Sequence, residues 1–214
     1  MKKTSGKTVS GKKRAGRKAG PSRGRVPVNA IFLVGFMGAG KTMVGRVLGE
    51  RLNWAFEDLD NRIERREGRT VADIFRDSGE SEFRLAEHNA LKSVLDELKN
   101  GAVRIVALGG GAFVQAHNAA LLKAANAPTV FLEAPVAELW QRCCDQASLT
   151  GAQRPLLQDR DQFQGLYENR RFSYAKASHR IQTGKRSIEA IAAEIEQVLG
   201  LKKIPVREEQ GEVE

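Results

Sequence analysis

At 214 residues, 41% of them hydrophobic, the chain has the material for one domain with a sizeable core, and no apolar run approaches the length of a membrane span. Its net charge of +9 suggests a nucleic-acid or membrane binder, but ten of the 35 basic residues lie in residues 1–28, a segment without a single acid. The rest of the chain carries 25 basic against 26 acidic residues, which excludes a strongly cationic domain.

Residues 1–28 are rich in Lys, Gly, Ser and Arg and nearly devoid of apolar side chains, so they read as a disordered basic tail with weak polyanion affinity. They lack the apolar stretch of a secretory signal. From residue 29 on, short apolar runs alternate with amphipathic ones, the signature of an α/β domain with a parallel sheet. Ala30–Val34 is the first expected strand. It runs into Gly35-Phe36-Met37-Gly38-Ala39-Gly40-Lys41-Thr42, which fits the P-loop pattern G-x-x-x-x-G-K-[ST]. Glycines let a row of N–H groups (Gly38, Ala39, Gly40, Lys41, Thr42, Met43) approach a polyphosphate. Lys41 adds a point charge and Thr42 a hydroxyl for Mg²⁺. Apolar positions Met43, Val44, Val47, Leu48 and Leu52 then predict a helix over 41–52 whose N-terminus faces the phosphates. A nucleoside triphosphate is the expected ligand.

A second strand, 54–58, ends in Phe56-Glu57-Asp58-Leu59-Asp60. Strand alternation would put Asp58 and Asp60 on one side at the sheet's ligand-binding edge, one for Mg²⁺ and one to orient or deprotonate a hydroxyl. Residues 60–99 predict helices at about 60–67, 71–77 and 80–99, too much for a simple crossover, and read as an insertion beside the sheet. Arg84 lies within it. A third strand, 103–108, ends in Gly109-Gly110-Gly111 with no Walker B acid. Three successive glycines imply close approach by a ligand or backbone. A helix at about 114–125 and a strand at 128–132 follow.

The helix expected at 135–147 contains Arg142 and the adjacent Cys143 and Cys144. Neighbouring helical residues point apart, so these suit neither a disulfide nor a zinc site, and the chain reads as a protein of the reducing cytoplasm. Residues 148–160, punctuated by Gly151 and Pro155 and carrying Arg154, read as a lid that closes over substrate. A helix at 161–176 with Arg170 and Arg171, a strand at 178–182 and a helix at 187–199 complete the domain, and residues 201–214 form an acidic tail. Four arginines around one cleft point to an anionic acceptor and a transferring phosphoryl group.

In combination these residues resemble the shikimate kinase family. The resemblance covers nearly all of 29–200. It rests on the P-loop, Asp58-x-Asp60, Ala72-Asp73-Ile74-Phe75, Glu82-Phe83-Arg84-x-x-Glu87, Leu108-Gly109-Gly110-Gly111-Ala112 and Arg154-Pro155-Leu156-Leu157. It implies a three-layer α/β/α fold with a five-stranded parallel sheet, akin to the nucleoside-monophosphate kinases. It further implies transfer of the ATP γ-phosphoryl to the 3-hydroxyl of shikimate, with ATP and Mg²⁺ as cofactors, in chorismate and aromatic amino-acid biosynthesis. By the same resemblance Asp60 holds the reacting hydroxyls and is the general-base candidate, and Asp58 serves Mg²⁺ with Thr42. Arg84 and Arg170 grip the carboxylate beside Gly109–Gly111. Arg154 reaches the phosphates, Arg142 stacks on adenine, and Phe75, Phe83, Glu87, Pro155 and Leu156 shape the pocket. Two departures stand out. The family's Arg-x-Pro-x-Tyr appears as Arg170-Arg171-Phe172-Ser173-Tyr174, leaving Arg170 and Arg171 as alternatives, and the stretch from Arg142 to Arg154 is longer than the short family form.

Nothing in the sequence demands a partner, so a monomer is expected, with no membrane and no specific nucleic acid. A gluconate kinase of the same architecture would share the arginines but not the combination of Asp58-x-Asp60, Phe83-Arg84 and the triple glycine. A P-loop nucleic-acid-dependent ATPase would use the basic tail and needs the Walker B acid that is missing.

Overall fold

The computed structural model describes residues 28–150 and 159–203. Five strands, β1 (Ala30–Val34), β2 (Ala55–Asp58), β3 (Arg104–Ala107), β4 (Thr129–Glu133) and β5 (His179–Gln182), form one parallel sheet in the order β2-β3-β1-β4-β5. Every residue of β1 and β4 is buried, as expected for central strands of a doubly covered sheet, and in β4 the apolar run Val130-Phe131-Leu132 is flanked by buried Thr129 and Glu133. The edge strands β2 and β5 alternate in exposure instead.

The chain leaves β1 in one direction to reach β2, and every later step between strands runs the other way. Right-handed crossovers therefore put α1 (Lys41–Leu52) on one face, with α7 (Ile188–Leu199) against it through the Arg51–Glu196 pair at 2.6 Å. The other face receives α2 (Leu59–Glu67), α3 (Val71–Lys99), α4 (Ala116–Ala124), α5 (Val136–Thr150) and α6 (Arg160–Tyr174). The direction reverses between β1 and β3. A crevice is expected beyond their carboxyl ends, and the loops that leave them are the P-loop and the triple-glycine turn.

The expected insertion is α2 and α3. A capping box between Thr70 and Asp73 starts α3, and at Gly79 (φ 80°, ψ 174°) its helical dihedrals break, so α3 consists of the two expected helices joined at a kink. Glu57, buried at the end of β2, accepts from Arg62 of α2, Arg65 of α2 and Arg104 of β3, each at 2.7 Å. Arg62 also pairs with Glu97 of α3, so the insertion is bolted to the sheet edge by charge as well as by packing. Phe36, the second P-loop residue, is buried edge-on against Phe163 (5.0 Å) and Tyr167 (5.5 Å) of α6, and Trp140 of α5 meets Phe163 at 5.1 Å. Truncating Phe163 would cost about 3–5 kcal/mol and loosen α6 from the phosphate loop.

Helix α5 extends to Thr150, into the segment read as a lid, and α6 starts at Arg160 behind the Asp159 N-cap. Residues 151–158, including Arg154, Pro155 and Leu156, lie outside the described residues, as do the tails 1–27 and 204–214.

Candidate active site

Beyond the carboxyl edge of β1 lies a cleft of about 920 Å³ lined by the P-loop, Asp58, Asp60, Gly109, Gly110, Arg142 and Arg170. Gly38 (φ 77°) and Gly40 (φ 90°) take left-handed conformations that aim the loop's N–H groups at the start of α1. Lys41 donates to the carbonyls of Gly35 (2.9 Å) and Phe36 (3.1 Å), which stretches its side chain back over the loop. Burial lowers the pKa of its ammonium, against the opposing charges of Asp60 and Asp58. Ala39 is buried beneath the loop and Met43 stands exposed at the cleft wall.

Asp58 and Asp60 come together for a different reason than strand alternation. Strand β2 ends at Asp58, whose Oδ1 caps α2 by accepting from the backbone N–H of Asp60 at 3.1 Å, so Asp60 sits in the first helical turn. The other oxygen, Oδ2, accepts from the Thr42 hydroxyl at 3.0 Å. Capping and a cleft role thus use different atoms of one carboxylate. Asp60 Oδ1 is buried without a hydrogen-bond partner. Burial and then the Asp58 charge push the Asp60 carboxyl up to about 6, against the pull of Lys41.

The triple glycine explains itself by close approach. A Cβ at Gly109 would stand 2.5 Å from Asp60 Oδ1, one at Gly110 3.5 Å from an Arg170 amine, and one at Gly111 2.4 Å from an Arg84 amine. Three successive backbone units face the three side chains expected to hold an acceptor. Arg84 is held on α3 by Glu87 and Glu80, each at 3.0 Å. Glu87 is fully buried, its Oε1 lacks a partner, and burial pushes it up to about 7 in spite of Arg84. Phe83 is buried against Phe75 with ring centroids at 4.6 Å.

Arg170 and Arg171 separate cleanly. Arg170 lines the cleft, whereas Arg171 turns away to Glu133 at the end of β4 (2.9 Å). Tyr174, one turn beyond Arg170, is buried, donates to the Gly110 carbonyl and is pushed up to about 12 by that burial. Arg142 of α5 donates to the carbonyls of Gly38 (3.3 Å) and Thr183 (2.9 Å) and pairs with Glu138. Sequence reasoning missed Gln146, Arg186 and Ile188, which also line the cleft. For Arg186 and Ile188 a signal existed: both follow the carboxyl end of β5, where parallel sheets bind ligands.

The shikimate kinase family model matches residues 37–200. The chain belongs to the shikimate kinase family. Among curated relatives, shikimate kinase of Persephonella marina is 37% identical over 166 residues, covering 77% of this chain and 95% of the relative. Shikimate kinase of Symbiobacterium thermophilum is 38% identical over 185 residues, covering 85% and 99%. Among solved structures, shikimate kinase from Acinetobacter baumannii in complex with shikimate superposes with TM-score 0.68 at 36% identity, covering 81% of this chain and 94% of that one. A gluconokinase from Sinorhizobium meliloti, at 17% identity and TM-score 0.51, shares the fold alone. The protein is therefore an enzyme, a P-loop kinase, and among its described residues no helix is long and apolar enough to cross a membrane.

Proposed function

We propose that this kinase transfers the γ-phosphoryl group of ATP to the 3-hydroxyl of shikimate. The observation that carries the reading is the triple-glycine turn, whose backbone lies against Asp60, Arg170 and Arg84 in succession, next to a P-loop with its lysine in place. Arg84 and Arg170 offer guanidinium forks suited to one carboxylate, and the glycine backbone gives the ring room to lie between them and Asp60.

Phosphoryl transfer needs in-line positioning and charge neutralisation more than covalent help. The N–H groups from Gly38 to Met43 cradle the phosphates, and Lys41 neutralises charge on the transferring group. Asp60 orients the hydroxyl and takes its proton on the carboxylate as the new O–P bond forms and the bond to the β-phosphate oxygen breaks. A carboxyl shifted to about 6 is ionised at neutral pH yet more basic than an ordinary one, which suits it to that task. Arg154 would add charge from the lid, and Arg142 would stack on adenine.

Thr42 and Asp58 present two hard oxygen donors 3.0 Å apart beside Lys41, and no cluster of three or more His, Cys, Asp or Glu occurs among the described residues. That sparse set fits Mg²⁺, which takes one or two protein oxygens and completes its shell with phosphates and water. When bound, it supplies charge neutralisation across the β- and γ-phosphates. The proposal extends to a monomer in the cytoplasm. ADP release from Mg-ATP, measured with shikimate, with gluconate and with no acceptor, tests the reading. Turnover that depends on shikimate supports it, and equal or greater turnover with gluconate would sink it.

A further inference from the structure

Behind the glycine turn lies a polar contact in a buried place that the proposed chemistry does not use. Asn118, at the start of α4, is fully buried. Its Nδ2 donates to the carbonyl of Ala112, the residue directly after Gly111, at 3.1 Å. A carbonyl can only accept, so the amide orientation is fixed and Oδ1 must face the other way. There it meets His88 Nδ1 at 2.8 Å, which fixes the His88 tautomer with its proton on Nδ1. His117 packs edge-on over the His88 ring, with centroids 4.8 Å apart. His88 is one turn beyond Arg84 on α3, and a residue and its fourth neighbour share a helix face.

We propose that Asn118 and His88 are positioning residues for substrate binding, forming a latch that fixes the glycine turn at its working distance from Arg84. The argument rests on the functional reading above and on three contacts. The Arg84 guanidinium lies so close to Gly111 that even a methyl group would not fit between them. That approach joins two elements distant in sequence, α3 and the turn after β3. Among the described residues, the hydrogen-bonded chain Ala112–Asn118–His88 links that turn to the helix carrying Arg84. An amide in a dry interior keeps its partners because leaving either unmatched costs the whole desolvation of that group. The latch therefore ties the glycine turn to the helix that carries Arg84.

The two histidine variants His88→Phe and His88→Asn test this, with Asn118→Asp alongside. Phenylalanine keeps the ring and loses the donor, whereas asparagine can place an amide N–H where Nδ1 stood. Asn118→Asp sets a carboxylate oxygen against the Ala112 carbonyl. His88→Phe is expected to raise the KM for shikimate about five- to tenfold, the equivalent of one lost hydrogen bond in a partly buried place. Its KM for ATP and its kcat should stay within about twofold of the parent, since neither depends on that bond. His88→Asn should restore the shikimate KM, and Asn118→Asp should raise it at least as much as His88→Phe does. An unchanged shikimate KM in His88→Phe overturns the proposal, as does a parallel rise in both KM values or failure of His88→Asn to rescue. Should Asn118→Asp not fold, the His88 pair decides alone, because His88 is only half-buried. Wild-type turnover independent of shikimate would defeat the functional reading itself, and the latch with it.

Discussion

The two walls of the cleft are built on opposite principles. On the proposed donor side, eight consecutive residues, Gly35–Thr42, would carry the phosphate chemistry, and Gly38 and Gly40 take left-handed backbone angles. On the proposed acceptor side, Asp60, Arg84, Arg170 and the glycine turn come from four separate parts of the chain, and a methyl group at Gly109 or Gly111 would run into a side chain. A polyphosphate is read by a local backbone shape. A small carboxylic acid with several hydroxyls has to be read by a convergence of side chains.

Substitutions on each wall should therefore fail in different ways. Lys41→Ala should lower kcat by about 10³-fold or more, since it removes transition-state charge, and leave the shikimate KM nearly intact. Initial rates against both substrates check the split, and near-normal turnover would remove Lys41 from the phosphate site. Arg84→Ala should weaken shikimate binding by about 3–5 kcal/mol, with ATP binding preserved. Titration of each ligand separately is the measurement, and unchanged shikimate affinity would take Arg84 out of the acceptor wall. The glycine turn gives a finer test: Gly109→Ala and Gly111→Ala each press a methyl into a side chain at 2.5 or 2.4 Å, whereas Gly110→Ala finds ordinary contact at 3.5 Å. The first should strike kcat through Asp60 and the second the shikimate KM. The third should be tolerated within about threefold, as expected where a methyl fits without displacement.

Asp60 adds a dependence on pH, and its effect on stability is the smallest of these. The kcat/KM should fall as pH drops through about 6, where Asp60 gains its proton and can no longer accept one. Because burial raises this carboxyl above its ordinary value of 3.8, its contribution to stability is full below that value and is lost as pH rises through about 6. Asp60→Asn should consequently abolish the acid limb along with most activity, yet add about 1–3 kcal/mol of stability at pH 8. Thermal unfolding of the two proteins at pH 4 and pH 8 checks the sign. A stability gain that is larger at pH 4 would contradict it.

This asymmetry also governs how much was legible in the sequence. All five strands, the P-loop and the helix after it follow from periodicity and local pattern, and the structure places them within about two residues. That Asp58 and Asp60 both reach the cleft was legible, but not by what geometry: alternation along a strand is a two-residue rule, and so is a helix cap, and only the backbone angles separate them. The choice between Arg170 and Arg171 needed the fold, because Glu133, which draws Arg171 away, lies 38 residues earlier. Asn118 and His88 carried no signal at all. Each is an ordinary polar residue until burial brings it against the other and the Ala112 carbonyl.

The Arg142 guanidinium touches the phosphate loop, the turn after β5 and a carboxylate of its own helix. A side chain committed to three anchors has few rotamers left to lose. In its proposed place against adenine, the wall is finished before the nucleotide arrives, and its ordering cost falls on folding instead of on binding. A receptor of that kind selects by shape at first encounter and has little to gain from moulding itself around the base.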